Sequence, residues 1–168
     1  THGPQAIRAP FRVVNLDLQD KVAVVTGSSR GLGLGCARAL VEEGCRVTIC
    51  ARGLERLNAA ASELRALGGP ADRVMTVQAD VSAADGVEKV VSAAVEQFGG
   101  LDILVNNVGL ARGAAIPDTS DAEWQEAFDQ TLMPAVRGSR LAVPHMRRRG
   151  GGSIVMIASI WGPESGGR

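Results

Sequence analysis

The sequence predicts an α/β fold: a doubly wound parallel sheet with helices on both faces. Strand-like apolar runs alternate with helix-like segments along the chain, which is typical of successive β-α-β units. The apolar β-branched run 22–25 leads into a glycine-rich turn, and a helical pattern follows that turn. Candidate ligand-binding residues come directly after predicted strands, and doubly wound sheets bind ligands at the carboxyl ends of their strands.

Local signals define each element. Gly44 ends the first helix, and Gly68-Gly69-Pro70 ends the second, because glycine and proline stop helices. Ser82 is a candidate N-cap for the third helix, which ends at Gly99-Gly100. The predicted strands are 21–26, 46–50, 73–78, 103–105 and 153–158, and the predicted helices are 31–44, 53–67, the one that follows Ser82, and 121–149. Pro134 and Pro144 lie inside the last helix and predict a kink or break there.

Composition indicates one globular domain. The chain has 168 residues, of which 45% are apolar and 21% charged. We expect an irregular N-terminal lead-in over residues 1–18 and one domain over 19–168. Lys plus Arg equals Asp plus Glu, 18 each, so the charge balance favours neither nucleic acid nor an anionic membrane. No apolar run is long enough for a membrane span.

Cysteine usage and one basic cluster give two further expectations. Cys36, Cys45 and Cys50 lie in apolar helix or strand contexts without the spacing of metal ligands. They predict buried, reduced thiols in a cytoplasmic protein and no metal site. Arg147-Arg148-Arg149 falls at the expected end of a helix, where cations offset the helix dipole. Binding of a polyanion is the alternative interpretation of that cluster.

The glycine-rich turn predicts a phosphate-binding site. It has the spacing Gly-x-x-x-Gly-x-Gly and lies between a strand and a helix. Glycines let the backbone approach phosphate oxygens, and the unpaired N–H groups of the first helical turn point at negative charge. An ordinary helix start is the alternative. The candidate cofactor-binding residues of this turn are Gly27, Ser29, Arg30, Gly31, Leu32 and Gly33.

Together with Thr26, this turn resembles that of the classical short-chain dehydrogenase/reductase family. Asp80-Val81 after the third strand resembles the family's adenine-contacting pair, and Asn107, Val108 and Gly109 belong to a stretch that resembles its Asn-Asn-Ala-Gly motif. The resemblance implies a Rossmann fold with strand order 3-2-1-4-5. It covers most of the chain, from about residue 20 to 162, and looks most like the 3-oxoacyl-(acyl-carrier-protein) reductase branch.

The resemblance also indicates the cofactor. Members that use NAD carry an acidic residue at the end of the second strand, in the place of Ala51. Here Arg52 follows Ala51, and Arg30 lies inside the glycine-rich turn. Both match basic positions of members that prefer NADP, since a guanidinium pairs with the 2′-phosphate. We therefore expect NADP(H) as the cofactor, with NAD(H) as the alternative. If Arg30 and Arg52 have no cofactor role, they are solvated residues of their loops.

The catalytic set of the family is only partly present. The resemblance implies that Ser159 orients a carbonyl or hydroxyl substrate, although an ordinary hydroxyl at a strand end is the alternative. Thr131 stands where the family has an asparagine that holds a water molecule. The family's Tyr-x-x-x-Lys motif is expected beyond Arg168, and the chain contains no tyrosine. His145, on the long helix, is expected to be a surface or packing residue.

These observations leave two function classes open. One is the N-terminal part of an NADP(H)-dependent carbonyl reductase or alcohol dehydrogenase, whose missing C-terminal strands and helices would follow the fifth strand. The other is a non-catalytic NADP-binding module, and a regulatory interaction surface on the helix around 121–149 is a third possibility. The resemblance further implies a homo-oligomer, a dimer or tetramer, assembled through the helix at 121–149.

Overall fold

The computed structural model describes residues 15–67, 70–109 and 116–158. Five parallel strands form one sheet in the order β3-β2-β1-β4-β5, which confirms the predicted topology. The strands are β1 (Val22–Val25), β2 (Arg46–Ala51), β3 (Val74–Gln78), β4 (Ile103–Asn106) and β5 (Ser153–Met156).

The described helices alternate with these strands. They are α1 (Gly31–Glu42), α2 (Leu54–Arg65), α3 (Ala84–Phe98), α4 (Asp121–Ala127) and α5 (Met133–Arg148), with short 3-10 turns at Ala71–Arg73 and Ile116–Asp118. The central strand β1 is buried throughout, and its Val24 pairs with Thr48 of β2 and Leu104 of β4. A continuous apolar strand is what a sheet covered on both faces requires.

The core has one apolar cluster on each face of the sheet. On one face, Val22 and Val24 pack with the apolar side of α3 and with Ala142 and Met146 of α5. On the other, Ala23 and Val25 pack with α1 and α2. Because successive strand residues point to opposite faces, the same four-residue strand supplies both clusters.

The predicted kink or break of the long helix corresponds to a π turn just before Pro134, and α5 continues through Pro144. Residues Phe128–Leu132 form this turn between α4 and α5, and Pro134 lies in the first turn of α5. Pro144 lies inside α5 without ending it. Ser120 caps α4 through a capping box with Glu123, so the long helical region begins with a defined cap.

The predicted cap of α3 is wrong. The N-cap of α3 is Ala83, without a side-chain cap, whereas the Ser82 hydroxyl donates to Asp80 Oδ1 at 2.7 Å. An acceptor two residues away is available to Ser82 before the helix begins, so its hydroxyl serves the loop instead. Gly99 ends α3 with a φ of +79°, as its sequence position predicted.

The remaining expectations have mixed outcomes. Cys45 and Cys50 are buried free thiols, and burial raises the pKa of each to about 11, but Cys36 is only half-buried on α1. The basic cluster does fall at the end of α5, where Arg149 pairs with Asp102. Within the described ranges, no acidic, cysteine or histidine cluster could hold a metal ion, and no helix is long and apolar enough to cross a membrane.

Candidate nucleotide-binding site

A cleft of about 500 Å³ lies at the carboxyl end of the sheet. Its volume is in the range of small-molecule sites. The loops after β1, β2, β3 and β4 all contribute to its wall, as the parallel topology requires. Ten of the twelve residues predicted to bind a cofactor line it: Gly27, Ser29, Arg30, Gly31, Arg52, Asp80, Val81, Asn107, Val108 and Gly109.

The turn after β1 is fixed by backbone geometry. Gly27 and Gly31 have φ values of +61° and +57°, a left-handed conformation that disfavours side chains. A Cβ on Gly27 would also lie 2.8 Å from Val108 Cγ2. Glycine at position 27 thus allows the turn and the loop after β4 to lie against each other.

Ser28 ties this turn to β2. Its backbone N–H donates to the Cys50 carbonyl at 3.0 Å, and the Cys50 N–H donates to Ser28 Oγ at 2.9 Å. The Ser28 hydroxyl donates to the Val25 carbonyl at 2.7 Å and is fully buried. These bonds occupy the backbone N–H and the hydroxyl of Ser28 within the protein. Its neighbours in the turn form the wall of the cleft.

The start of α1 presents unused backbone donors. Arg30 is its N-cap in an extended conformation, and the first helical bond runs from the Leu34 N–H to the Arg30 carbonyl. The N–H groups of the first helical residues, 31–33, are therefore not used by the helix. Such a helix start favours negative charge nearby.

Leu32 and Gly33, also predicted to bind the cofactor, do not line the cleft. Leu32 is 72% exposed, and its backbone N–H is one of the unused donors at the start of α1. Gly33 is buried, and a Cβ there would lie 2.5 Å from both the Gly27 carbonyl oxygen and Asn107 Nδ2. Gly33 therefore serves close packing of the helix against the turn.

Asn107 and Thr26 brace the cleft floor. Asn107 Nδ2 donates to the carbonyls of Thr26 and Gly27, both at 3.1 Å, and the Asn107 N–H donates to Thr26 Oγ1 at 2.9 Å. Thr26 in turn donates through Oγ1 to the Val105 carbonyl at 3.3 Å. This network joins the turn after β1 to the loop after β4, so both are held in one arrangement.

One side of the cleft is rich in arginine. Arg30, Arg52 and Arg56 line it with a single carboxylate, that of Asp80, among the described lining residues. Arg52 Nη1 lies 4.0 Å from Asp80 Oδ2, and the Arg52 side chain is 75% exposed. At this distance and exposure the pair is weak, so these guanidinium groups are available to a ligand.

Asp80 is held by its own loop. Its Oδ1 accepts hydrogen bonds from the Ser82 hydroxyl at 2.7 Å and from the Ser82 N–H at 3.0 Å. These two bonds, together with the nearby Arg52 charge, lower the pKa of Asp80. The carboxylate is therefore ionised at neutral pH and retains acceptor capacity toward the cleft.

The π turn also borders the cleft. Gln130 lines it there, and Thr131 Cγ2 lies 3.8 Å from the position of a Cβ on Gly109. Thr131, predicted at the family's asparagine position, is thus beside the loop after β4. Ser159 lies outside the described residues. His145 is far from this arrangement: it bonds Arg148 on α5, and burial followed by the Arg148 charge lowers its pKa.

The sequence reasoning did not assign seven residues that line the cleft, Cys50, Ala51, Gly53, Arg56, Ala79, Ser82 and Gln130, or the supporting role of Ser28. Arg56 had a usable signal, since it lies one helical turn after Arg52 at the predicted start of α2. Gln130 did not, because only the π turn decides which residue of that segment faces the cleft.

Comparison with known proteins agrees with this geometry. A D-beta-hydroxybutyrate dehydrogenase of Cupriavidus necator is 39% identical over 145 residues, 86% of this chain and 55% of the relative. Two solved structures each superpose with a TM-score of 0.80. One is the L-sorbose reductase of Gluconobacter frateurii complexed with NADPH and L-sorbose, 44% identical over 84% of this chain and 53% of that one.

The other is an actinorhodin polyketide ketoreductase variant with NADPH, 37% identical over 86% of this chain and 55% of that one. The chain thus spans a little over half the length of such relatives. The sequence model described as short chain dehydrogenase matches residues 21–167. On this match, on the sheet order and on the cleft after β1, the chain belongs to the short-chain dehydrogenase/reductase family.

Proposed function

We propose that this chain provides the NADP(H)-binding part of an oxidoreductase that interconverts a carbonyl and a hydroxyl group in a small-molecule substrate. The observation that carries the proposal is the cleft itself. It joins a glycine turn with unused N–H groups to a wall with three arginines and one carboxylate. Two solved structures of relatives in complex with NADPH support the same cofactor class.

The described residues fit this cofactor. The backbone of Ser29, Arg30 and Gly31 would bind the pyrophosphate, because a phosphate oxygen can approach a turn without side-chain obstruction. Arg30 and Arg52 would bind the 2′-phosphate. Asp80 and Val81 would contact the adenine, and Asn107, Val108 and Gly109 would lie at the nicotinamide ribose.

The nicotinamide group supplies hydride when it is bound. The role of this chain would be to orient the cofactor between the turn after β1 and the loop after β4. Ser159 would orient the substrate oxygen, and Thr131 would hydrogen-bond a water molecule in the position of the family's asparagine. The general acid, a tyrosine with its lysine, would come from sequence beyond Arg168.

Nucleotide titration tests the proposal. The 168-residue chain should quench or shift NADPH fluorescence with a Kd at least about tenfold lower than for NADH, because the 2′-phosphate adds charge-assisted hydrogen bonds. Equal Kd values for the two nucleotides would contradict the NADP assignment, and absence of binding of either would contradict the nucleotide site.

A non-catalytic NADP-binding module is the second candidate. It is favoured by the threonine at position 131, where the family has an asparagine. A chain extended to the length of its relatives separates the two. Reduction of simple ketones with NADPH would support the enzyme, whereas tight NADPH binding without turnover of a carbonyl panel would support the module.

Assembly through the helical region 121–149 completes the proposal. Trp124, Phe128 and Leu132 repeat every fourth residue and are each 45–50% exposed, and the two rings lie 6.2 Å apart. Exposed apolar stripes of this kind favour burial against another copy. Sedimentation should find a dimer or tetramer that Phe128→Glu converts to monomer. The free thiols support a cytoplasmic location.

A further inference from the structure

Arg137 of α5 makes a long-range contact that the proposed function has not used. Its Nη1 donates to the Ser82 carbonyl at 2.7 Å, across 55 residues of sequence. The side chain is half-buried, and in the described ranges it has no carboxylate partner. A guanidinium group whose hydrogen bond goes to one loop carbonyl serves to hold that loop.

The loop it holds carries the Asp80 carboxylate. Ser82 accepts from Arg137 through its carbonyl and donates to Asp80 Oδ1 through both its N–H and its hydroxyl. Ser82 therefore links the guanidinium group to the carboxylate through a single residue. Asp80, Val81 and Ser82 all line the cleft, so this link ends on the wall where the adenine is proposed to bind.

Contacts with α3 and β2 also restrict the position of this loop. A Cβ on Gly86 would overlap the Asp80 carbonyl, so the first turn of α3 lies directly against the Asp80 backbone. The Ala79 N–H donates to the Ala51 carbonyl at 3.1 Å, which fixes the start of the loop to β2. The remaining side, toward α5, is held by the Arg137 contact.

We propose that Arg137 is a positioning residue that sets the Asp80 carboxylate for recognition of the adenine amino group, so that α5 contributes to base selection without touching the nucleotide. This inference depends on the proposed function, since it assumes that the base lies against Asp80. Without the guanidinium group, the Ser82 carbonyl would lose its charged partner and the loop would gain an alternative position.

The test measures base selection rather than affinity alone. Calorimetry gives the Kd of NADP⁺ and of its deamino analogue, in which hypoxanthine replaces adenine and presents an oxygen instead of the amino group. The wild-type chain should prefer NADP⁺ by about tenfold, the effect of one hydrogen bond to a charged group. Arg137→Met should reduce this preference to about twofold, and Arg137→Lys should restore most of it.

Arg140→Met is the matched control, because Arg140 is an exposed residue of the same helix that does not line the cleft. It should keep the tenfold preference. Thermal unfolding checks that each variant is folded, and if Arg137→Met is not, Ser82→Ala interrupts the same link at the hydroxyl and should also reduce the preference.

The outcomes distinguish failure of the Arg137 proposal from failure of the proposed NADP(H)-binding function. A wild-type chain that binds neither nucleotide contradicts the proposed function. A wild-type chain that binds both equally, or an Arg137 variant that keeps the full preference, overturns the role of Arg137 while leaving the NADP site in place.

Discussion

The two ends of the sheet differ in how their charged side chains are paired. At the amino end, Asp102 is 5% exposed and accepts from the Val22 N–H and from Arg149 Nε, both at 2.8 Å. Arg73 there pairs with Asp20 at 2.8 Å and also donates to the Gly44 carbonyl. At the carboxyl end, three arginines line a cleft whose described lining includes one carboxylate, that of Asp80, and Arg52 Nη1 lies 4.0 Å from Asp80 Oδ2.

This difference separates stability from binding. The buried Asp102 carboxylate holds β1 and the end of α5 together, while the charges that face the cleft remain available to a ligand. Substitutions at the amino end should therefore change the free energy of unfolding, and substitutions at the carboxyl end should change nucleotide affinity.

The largest effect is expected from Asp102→Ala. It would leave the Val22 N–H and the Arg149 guanidinium without their acceptor, so the free energy of unfolding should fall by about 3 kcal/mol. Chemical denaturation measures it. Asp80→Ala is the matched control at the other end, where the same residue type is half exposed, and because it loses only bonds within its own loop it should change stability by less than about 1.5 kcal/mol. Equal losses at both ends would remove the contrast.

The next effect is expected from the double variant Arg30→Gln, Arg52→Gln. The Kd for NADPH should rise about thirtyfold, or about 2 kcal/mol, through loss of charge-assisted bonds to the 2′-phosphate. The Kd for NADH should change by less than about threefold, and the unfolding midpoint should stay constant. Arg140→Gln provides a control for loss of positive charge. If the Kd values for NADPH and NADH rise equally, the arginines act through the general electrostatic potential of the cleft and not through contact with the 2′-phosphate.

Acid should reduce the stability that the Asp102 carboxylate provides at the amino end, and Asp102→Asn isolates this contribution. Burial by itself would raise the pKa of Asp102, but hydrogen bonds from Arg149 and the Val22 N–H outweigh it, and the net shift is downward. A lowered folded-state pKa stabilises the fold above the unfolded value of about 3.9, and this stabilisation is lost as pH falls through the folded value. Stability measured from pH 5 to 2 should therefore fall less steeply in Asp102→Asn than in the wild type.

The smallest effect is expected from Leu32→Ala. The side chain points to solvent, so only its N–H could reach a phosphate, and the Kd for NADPH should change by less than about twofold. A tenfold change would mean that the exposed leucine contacts the nucleotide or a partner surface.

Sequence reasoning predicted the parts of this molecule that depend on local pattern. The strand order, the glycine turn and the kink before Pro134 all follow from residues that are close in sequence or from the family resemblance. The packing role of Gly33 could not be predicted from local pattern, because Asn107, which lies against it in the fold, is distant in sequence. Ser82 was misassigned for a related reason: a cap and a loop bond to Asp80 compete, and only the backbone conformation decides between them.

The π turn at Phe128–Leu132 makes the register of one segment matter to two surfaces. Each residue of an α-helix rotates the next by about 100°. A π turn takes up one residue more than an α-helical turn, so deleting Asp129 and thereby converting the turn to ordinary helix would leave Trp124 and Arg137 in the same relative orientation. A single-codon deletion of Asp129 should therefore preserve subunit association and base preference together, because it removes no side chain of the apolar stripe and leaves Arg137 in place.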